Sequence, residues 1–406
     1  MWFCSQIGAR EHYAVPRVLH REGRLGALYT DFWAGTFVHG IARKTNIRSV
    51  RSFAARFHLD LTQAPVVSWN IRSLVEAGSR NETSARMYES FIKAGASFSA
   101  CVRQALSRRK DLDSNSIFFS YDTGALETME WCRERGLKCI VDQMDPNRAE
   151  VERVHQEEKR WPEWCKQPLE VPEEYFRRRE QEWALADTIV VNSDFCRQAL
   201  IRQGVPPKKL SVVPLSFEPS DSGKEAGTKN SNTPGLKNKL RVLFLGQVIL
   251  RKGIQYLVQA AKLLENEPIQ FDVVGPVGIS DAAVACAPRN TVFHGRATRD
   301  QTAQWYRQSD VFVLPTLSDG FAITQLEAMS YGLPVVTTPC CGTVVGDGMD
   351  GFVVPAGDAD VLAKTLLRYI AEPGLLQHQR NSAQIKVKQF TLNQLAANLR
   401  SLENRK

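Results

Sequence analysis

The chain has 406 residues, 43% hydrophobic and 24% charged, with a formal net charge of +8. At roughly 100–200 residues per domain this length predicts two domains. No run reaches the ~18 consecutive apolar residues of a membrane-spanning helix. The basic runs lack the aromatic interleaving of a single-strand platform and any zinc-finger or basic-zipper spacing, which argues against a nucleic-acid partner.

Residues 2–7 (WFCSQI) read as a first strand. No basic stretch precedes them and charges follow, which is not the layout of a secretory signal. Further strand candidates are 27–32, 116–121, 137–142, 187–192 and 209–214, with helical patterns between most of them and a long, charged, helix-rich stretch over 146–186. Residues 218–239 (EPSDSGKEAGTKNSNTPGLKNK) are polar, aperiodic and rich in Gly, Ser, Asn and Pro, the composition of a flexible linker. The strand–helix rhythm then resumes with strands at 240–246, 269–275, 291–295, 310–315 and 333–338. Residues 390–406 place Phe390, Leu392, Leu395, Ala397, Leu399 and Leu402 at helical spacing, an amphipathic helix that packs on one of the domains.

This order predicts an α/β protein of two facing doubly wound, Rossmann-like domains: 1–217, a linker over 218–239, 240–389, and a terminal helix over 390–406. Ligands of such sheets bind beyond the carboxyl ends of the strands, so the site is expected in the cleft between the domains. Nine cysteines without a C-x-x-C spacing read as reduced thiols, and the adjacent Cys340 and Cys341 as small residues of a tight loop. A cytoplasmic protein is expected. The basic runs 43–58, 103–110 and 177–179 point to peripheral contact with an anionic membrane.

Residues 310–332 (DVFVLPTLSDGFAITQLEAMSYG) read as strand, loop and helix. Ser318 or Asp319 is placed to cap the helix and Gly332 to end it. Ala322, Ile323, Leu326, Met329 and Leu333 form an apolar face, and Glu327 lies off its centre. Glu327 reads either as a helix-flank residue or, two turns in, as an acceptor for two ribose hydroxyls. The helix N-terminus suits a phosphate, and Gly320 lets a ligand approach the backbone.

The stretch 318–336 (SDGFAITQLEAMSYGLPVV) resembles the E-x7-E region of retaining glycosyltransferases of family four, which have the GT-B fold. Residues 240–264 resemble the first strand and helix of their nucleotide-binding domain, 187–216 the end of their N-terminal domain, and 347–366 the segment after the acidic motif. Residues 1–186 share only the strand–helix rhythm.

The resemblance implies transfer of a sugar from a nucleotide-diphosphate sugar donor to an unknown acceptor, with no cofactor and no metal. It implies Glu327 on the ribose, Asp319 on hydroxyls of the transferred sugar, and the backbone of Gly320, Phe321, Ala322 and Ile323 on the diphosphate. Lys252 neutralises the leaving group and Arg296, after Gly295, lies near the base. Gly8 and His12, in the loop 5–12, face the cleft from the other domain. Three positions depart from the family pattern. Asp319 replaces a longer Glu. Gln247 replaces an Arg whose charge Arg251 is placed to supply. Asp142, Gln143 and Asp145 occupy the place of a cleft histidine. The departure at Gln247 keeps open a catalytically inactive sugar-nucleotide-binding protein of the same fold, and a sugar-nucleotide epimerase is the other alternative.

Overall fold

The structure, a computed structural model, describes residues 1–35, 56–70, 83–219 and 239–404, the side chains of 299, 300 and 373 excepted. The linker expected over 218–239 therefore falls almost wholly outside the described residues, as does most of the basic run 43–58.

The first sheet is parallel and seven-stranded, in the order β3-β2-β1-β4-β5-β6-β7. Its strands are β1 (Trp2–Gln6), β2 (Leu25–Thr30), β3 (Val66–Ser68), β4 (Ile117–Tyr121), β5 (Lys138–Gln143), β6 (Thr188–Val191) and β7 (Leu210–Val212). Its helices include α1 (Ala14–Arg21), α2 (Ser84–Ser107), α3 (Leu126–Glu134), α4 (Arg148–Arg160), α5 (Glu173–Leu185) and α6 (Asp194–Arg202). The second sheet is parallel and six-stranded, in the order β10-β9-β8-β11-β12-β13. Its strands are β8 (Leu240–Leu245), β9 (Ile269–Val274), β10 (Thr291–Gly295), β11 (Val311–Leu314), β12 (Val335–Thr337) and β13 (Gly351–Val353). It carries α7 (Ile254–Leu263), α8 (Asp281–Ala285), α9 (Arg299–Gln308), α10 (Thr324–Ser330), α11 (Ala359–Ala371) and α12 (Pro373–Lys386), followed by a terminal α13 (Leu392–Glu403). The short strands β3 and β13 are additions to the sequence reading.

The inner strands are covered on both faces and are continuous buried runs, whereas the edge strands β3, β7 and β10 are only partly buried. In the first domain Trp2, Cys4, Phe119 and Ile140 pack on one side with α1, while Phe3, Phe118, Cys139 and Val141 pack on the other with α2 and α3. In both sheets the strand order reverses at one place, between β1 and β4 and between β8 and β11. The carboxyl ends of these strand pairs form the crevices where such sheets bind ligands.

Two chain exchanges lock the domains together. Helix α13 returns to the N-terminal domain, where Leu392, Leu395, Leu399 and Leu402 join the core formed by α1 and β1. In the other direction, Trp164 joins the core of the second domain. Glu157 of α4, itself buried, accepts bonds from Gln255 Nε2 at 2.9 Å and Tyr256 Oη at 2.8 Å. The N-terminal and C-terminal domains thus each contain a piece of chain from beyond the boundaries drawn on the sequence.

The expected basic run 177–179 is not a surface patch. Arg177 is exposed, but Arg178 bonds Glu127 at 2.8 and 2.6 Å, and buried Arg179 pairs with Asp122 and, at 2.8 Å, with Asp145. A buried guanidinium without such partners would cost several kcal/mol, so these arginines serve the fold. All nine cysteines are free.

Candidate active site

Strand β8 ends at Leu245 and runs through Gln247 into a short 3-10 turn, Leu250–Lys252. Gly253 closes that turn with φ +74°, and a Cβ there would lie 1.8 Å from the Pro315 carbonyl oxygen, so only glycine fits. The close approach lays Arg251 and Lys252 beside the loop that follows β11. The Leu317 N–H donates to the Arg251 carbonyl at 2.9 Å, and Lys252 Nζ pairs with Asp319 Oδ2. Arg251 Nη1 donates to the Ser318 carbonyl at 3.0 Å and to Glu150 Oε2 of the other domain at 3.1 Å. Gln247 is exposed.

The helix after this loop differs from the sequence reading. It starts at Thr324 with Ile323 as N-cap and no side-chain cap, so neither Ser318 nor Asp319 caps it. Their oxygens are already engaged, Ser318 Oγ with Glu150 at 3.0 Å and Asp319 with Lys252. Glu327 lies in the first turn, not the second, and Gly332 ends the helix in a left-handed conformation as expected. Between Asp319 and the helix the chain makes a tight bend in which Ala322 has φ +62°. Such a conformation in a residue with a Cβ is a strain found at functional loops. Among the described residues, no hydrogen bond is donated by the N–H groups of Gly320, Phe321, Ala322 or Ile323. The Phe321 side chain is buried and packs edge-on to Phe390.

Gly320 is required by the packing of the two domains. A Cβ at this position would lie 1.9 Å from the Met144 carbonyl oxygen and 2.7 Å from Asn192 Nδ2. This close approach is that of the N-terminal domain.

Glu327 is half-buried and its Oε2 accepts from Tyr306 Oη at 2.8 Å. Burial, reinforced by the Glu327 charge, pushes the Tyr306 phenol well above its ordinary range, so Tyr306 stays a donor. No bond among the described residues reaches Glu327 Oε1. At the end of β10, His294 Nε2 bonds Asp272 Oδ1 at 2.8 Å and packs on Trp305, while Arg296 is exposed after Gly295 at φ +68°.

On the facing domain, Gly8 follows β1 with φ +88° and its N–H donates to Asp31 Oδ1 at 2.8 Å. His12 is exposed in a turn where Glu11, His12 and Tyr13 have φ of 49°, 52° and 62°. Each left-handed residue costs roughly 1–2 kcal/mol, and burial of Tyr13 against Trp33 offsets part of it. The residues in the place of the cleft histidine are structural in part: Gln143 accepts from Trp183 Nε1 at 2.9 Å and Asp145 pairs with Arg179.

Asp142 is buried next to Glu11 and Tyr121, and among the described residues neither its Oδ1 nor Glu11 Oε1 has a hydrogen-bond partner. Burial, then the charges of Glu11 and Asp122, raises the Asp142 carboxyl well above its ordinary range against the pull of Arg10. Burial likewise raises Glu11 to about 7. A carboxyl raised in the folded state favours folding below its unfolded pKa of ~3.9 and loses that contribution as pH climbs through the folded value. Asp142→Asn is therefore expected to raise the melting temperature, and by more at pH 8 than at pH 5. Calorimetric melts at both pH values check this, and an equal shift at the two would show that Asp142 is not titrating as its burial requires.

Residues 239–372 match the Glycosyl transferases group 1 family. Among curated relatives, the D-inositol 3-phosphate glycosyltransferase of Streptomyces bingchenggensis is 30% identical over 242 residues, covering 54% of this chain and 52% of the relative. The amylovoran biosynthesis glycosyltransferase AmsK of Erwinia amylovora is 24% identical over 212 residues, 48% of this chain and 50% of the relative. The chain spans about half the length of the curated relatives it matches. Over its whole length it superposes on sucrose-phosphate synthase of Thermosynechococcus elongatus, with a TM-score of 0.65, 17% identity and coverage of 99% and 98% of the two chains. Anabaena Alr3699/HepE, in complex with UDP and glucose, gives a TM-score of 0.60 at 14% identity, covering 99% of each chain. The chain thus carries a glycosyl transferases group 1 domain over residues 239–372, within a two-domain GT-B fold.

Proposed function

We propose that the protein is a retaining glycosyltransferase, moving a sugar from a nucleoside diphosphate sugar to an acceptor held by the N-terminal domain. The observation that carries the reading is the convergence of the 250–253 turn on the 316–323 loop at the carboxyl ends of β8 and β11. There two cations, Arg251 and Lys252, stand beside Asp319 and four backbone N–H groups that have no acceptor among the described residues. A diphosphate offers acceptors for those N–H groups and charge for the cations. Helix α10 has only seven residues, so the N–H groups and side chains, not a long helix dipole, supply the attraction.

In this reading Lys252 and Arg251 stabilise the charge that grows on the leaving diphosphate, Asp319 holds sugar hydroxyls, and Glu327 Oε1 takes the ribose. Gly8 and His12 approach from the facing domain, and Arg296 lies towards the base. With the leaving charge met by side chains, no divalent metal is required. The names of the relatives support the donor class, since the Anabaena protein was crystallised with UDP and glucose. Exposed Arg103, Arg108 and Lys110 at the end of α2 support work at the cytoplasmic face of an anionic membrane.

The test is incubation of the purified chain with UDP-, GDP- and ADP-activated sugars and an acceptor panel, with products read by mass spectrometry and NMR. Transfer from one donor, with the anomeric configuration kept and with undiminished turnover in EDTA, is expected. A protein that binds a nucleotide tightly yet transfers no sugar from any donor is a binding protein, and the proposal then fails. Loss of turnover in EDTA removes the metal-free mechanism.

A further inference from the structure

The 250–253 turn and the 316–323 loop both belong to the C-terminal domain, yet one side chain of the N-terminal domain bonds to both. Glu150 stands in the first turn of α4. Its Oε2 accepts from Arg251 Nη1 at 3.1 Å and from Ser318 Oγ at 3.0 Å. The Glu150 and Arg251 side chains are 19% and 21% exposed, and Ser318 is buried. Among the described residues no hydrogen bond is donated by Arg251 Nε or Nη2. Arg251 is thus a guanidinium fork fixed through one nitrogen, with its other N–H groups left for an anion. Its neighbour Gln247, where the family pattern has an arginine, is neutral and exposed.

We infer that Glu150 is a positioning residue of the donor site: reaching across from the acceptor-side domain, it fixes Arg251 against Ser318 and completes the diphosphate-binding end when the two domains are closed on each other. The inference rests on the donor reading above. Two effects of Glu150 oppose each other. Its charge weakens the attraction of Arg251 for a phosphate. Its bonds hold a long, flexible side chain and a loop in one geometry, so that less freedom is lost when the ligand arrives. Arg251 keeps unbonded N–H groups, and a carboxylate that had taken the ligand's place would engage them, so positioning prevails. Because the contact crosses the domain boundary, donor binding and closure strengthen each other by the same factor.

Titration calorimetry of the full chain with UDP, GDP and ADP, and with the matching nucleosides, tests this. Glu150→Gln is expected to weaken the best diphosphate about tenfold, the scale of one charge-assisted bond, and to leave the nucleoside unchanged. Arg251→Gln should do the same, and the double variant should be no worse than the weaker single one. Ser318→Ala, which removes only a hydroxyl, should show a smaller loss in the same direction. Retained nucleoside binding shows that the variants are folded. Unchanged or tighter diphosphate binding by Glu150→Gln overturns the inference, tighter binding meaning that Glu150 competes with the phosphate. An equal loss for nucleoside and diphosphate overturns it as well, because the role is then only structural. A wild type that binds none of the three diphosphates overturns the donor reading and this inference with it.

Discussion

Lys252→Ala is expected to lower turnover by about 10²–10³-fold, the scale of losing one preorganised electrostatic stabiliser. The position is rigid. Gly253 and the Pro315 carbonyl fix the turn, and the Lys252 N–H is bonded to the Ile249 carbonyl at 3.0 Å. Without donor, Lys252 pairs with Asp319, both side chains about 15% exposed (15% and 14%). In the proposed function, a bound donor gives Asp319 sugar hydroxyls to engage and Lys252 the diphosphate. The lysine then matters most as charge grows on the leaving group, so kcat falls further than donor affinity. Lys252→Arg, which keeps the charge, should recover part of the loss. A purely structural ion pair predicts the reverse pattern, a lower melting temperature with turnover within about twofold of wild type, since a lost ion pair alone leaves the transition state untouched. Steady-state kinetics and melts on the same samples separate the two.

The parts of this molecule legible in the sequence are those fixed by local pattern. Buried parallel strands are continuous apolar runs, and their alternation with helices gives the two sheets. Strands β3 and β13 are three residues each, too short to carry a period, and exist only through pairing with β2 and β12. The site was legible in its types and blurred in its geometry. Ser318, Asp319 and Gly320 have the composition of a helix cap, but their partners are Glu150, Lys252 and the Met144 carbonyl. Two of those three lie in the other domain, and no local pattern encodes such contacts. Glu150 itself looks like one more acid in the charged stretch 146–186. The terminal helix reads correctly as amphipathic, but its apolar face does not say which domain it covers. The run 177–179 shows the same limit for charge, because a guanidinium buried against Asp122 and one in water are spelled alike.

Glu327 gives the second large effect, and the structure changes how it is best tested. If Glu327 holds the ribose, Glu327→Ala removes charge-assisted bonds worth about 1.5–3 kcal/mol, a tenfold to hundredfold loss of nucleotide affinity at 1.4 kcal/mol per factor of ten. It also strips the acceptor from Tyr306, whose buried phenol then costs about 1–3 kcal/mol, so affinity and stability fall together. Glu327→Gln keeps an oxygen for Tyr306 Oη and removes the charge of the carboxylate. Tyr306→Phe removes the phenol and leaves the carboxylate. If Glu327 holds the ribose, Glu327→Gln weakens the best nucleotide by about tenfold with little change in melting temperature, while Tyr306→Phe leaves affinity nearly intact, since the lost bond is not to the ligand. If instead Glu327 exists to satisfy Tyr306 beneath the stacked Tyr331 ring, 5.3 Å away, the order inverts. Glu327→Ala then melts early, and all three variants titrate with the nucleotide like wild type. Calorimetric titration of the three variants with the tightest nucleotide, beside their melting curves, decides between a ribose ligand and a structural acceptor.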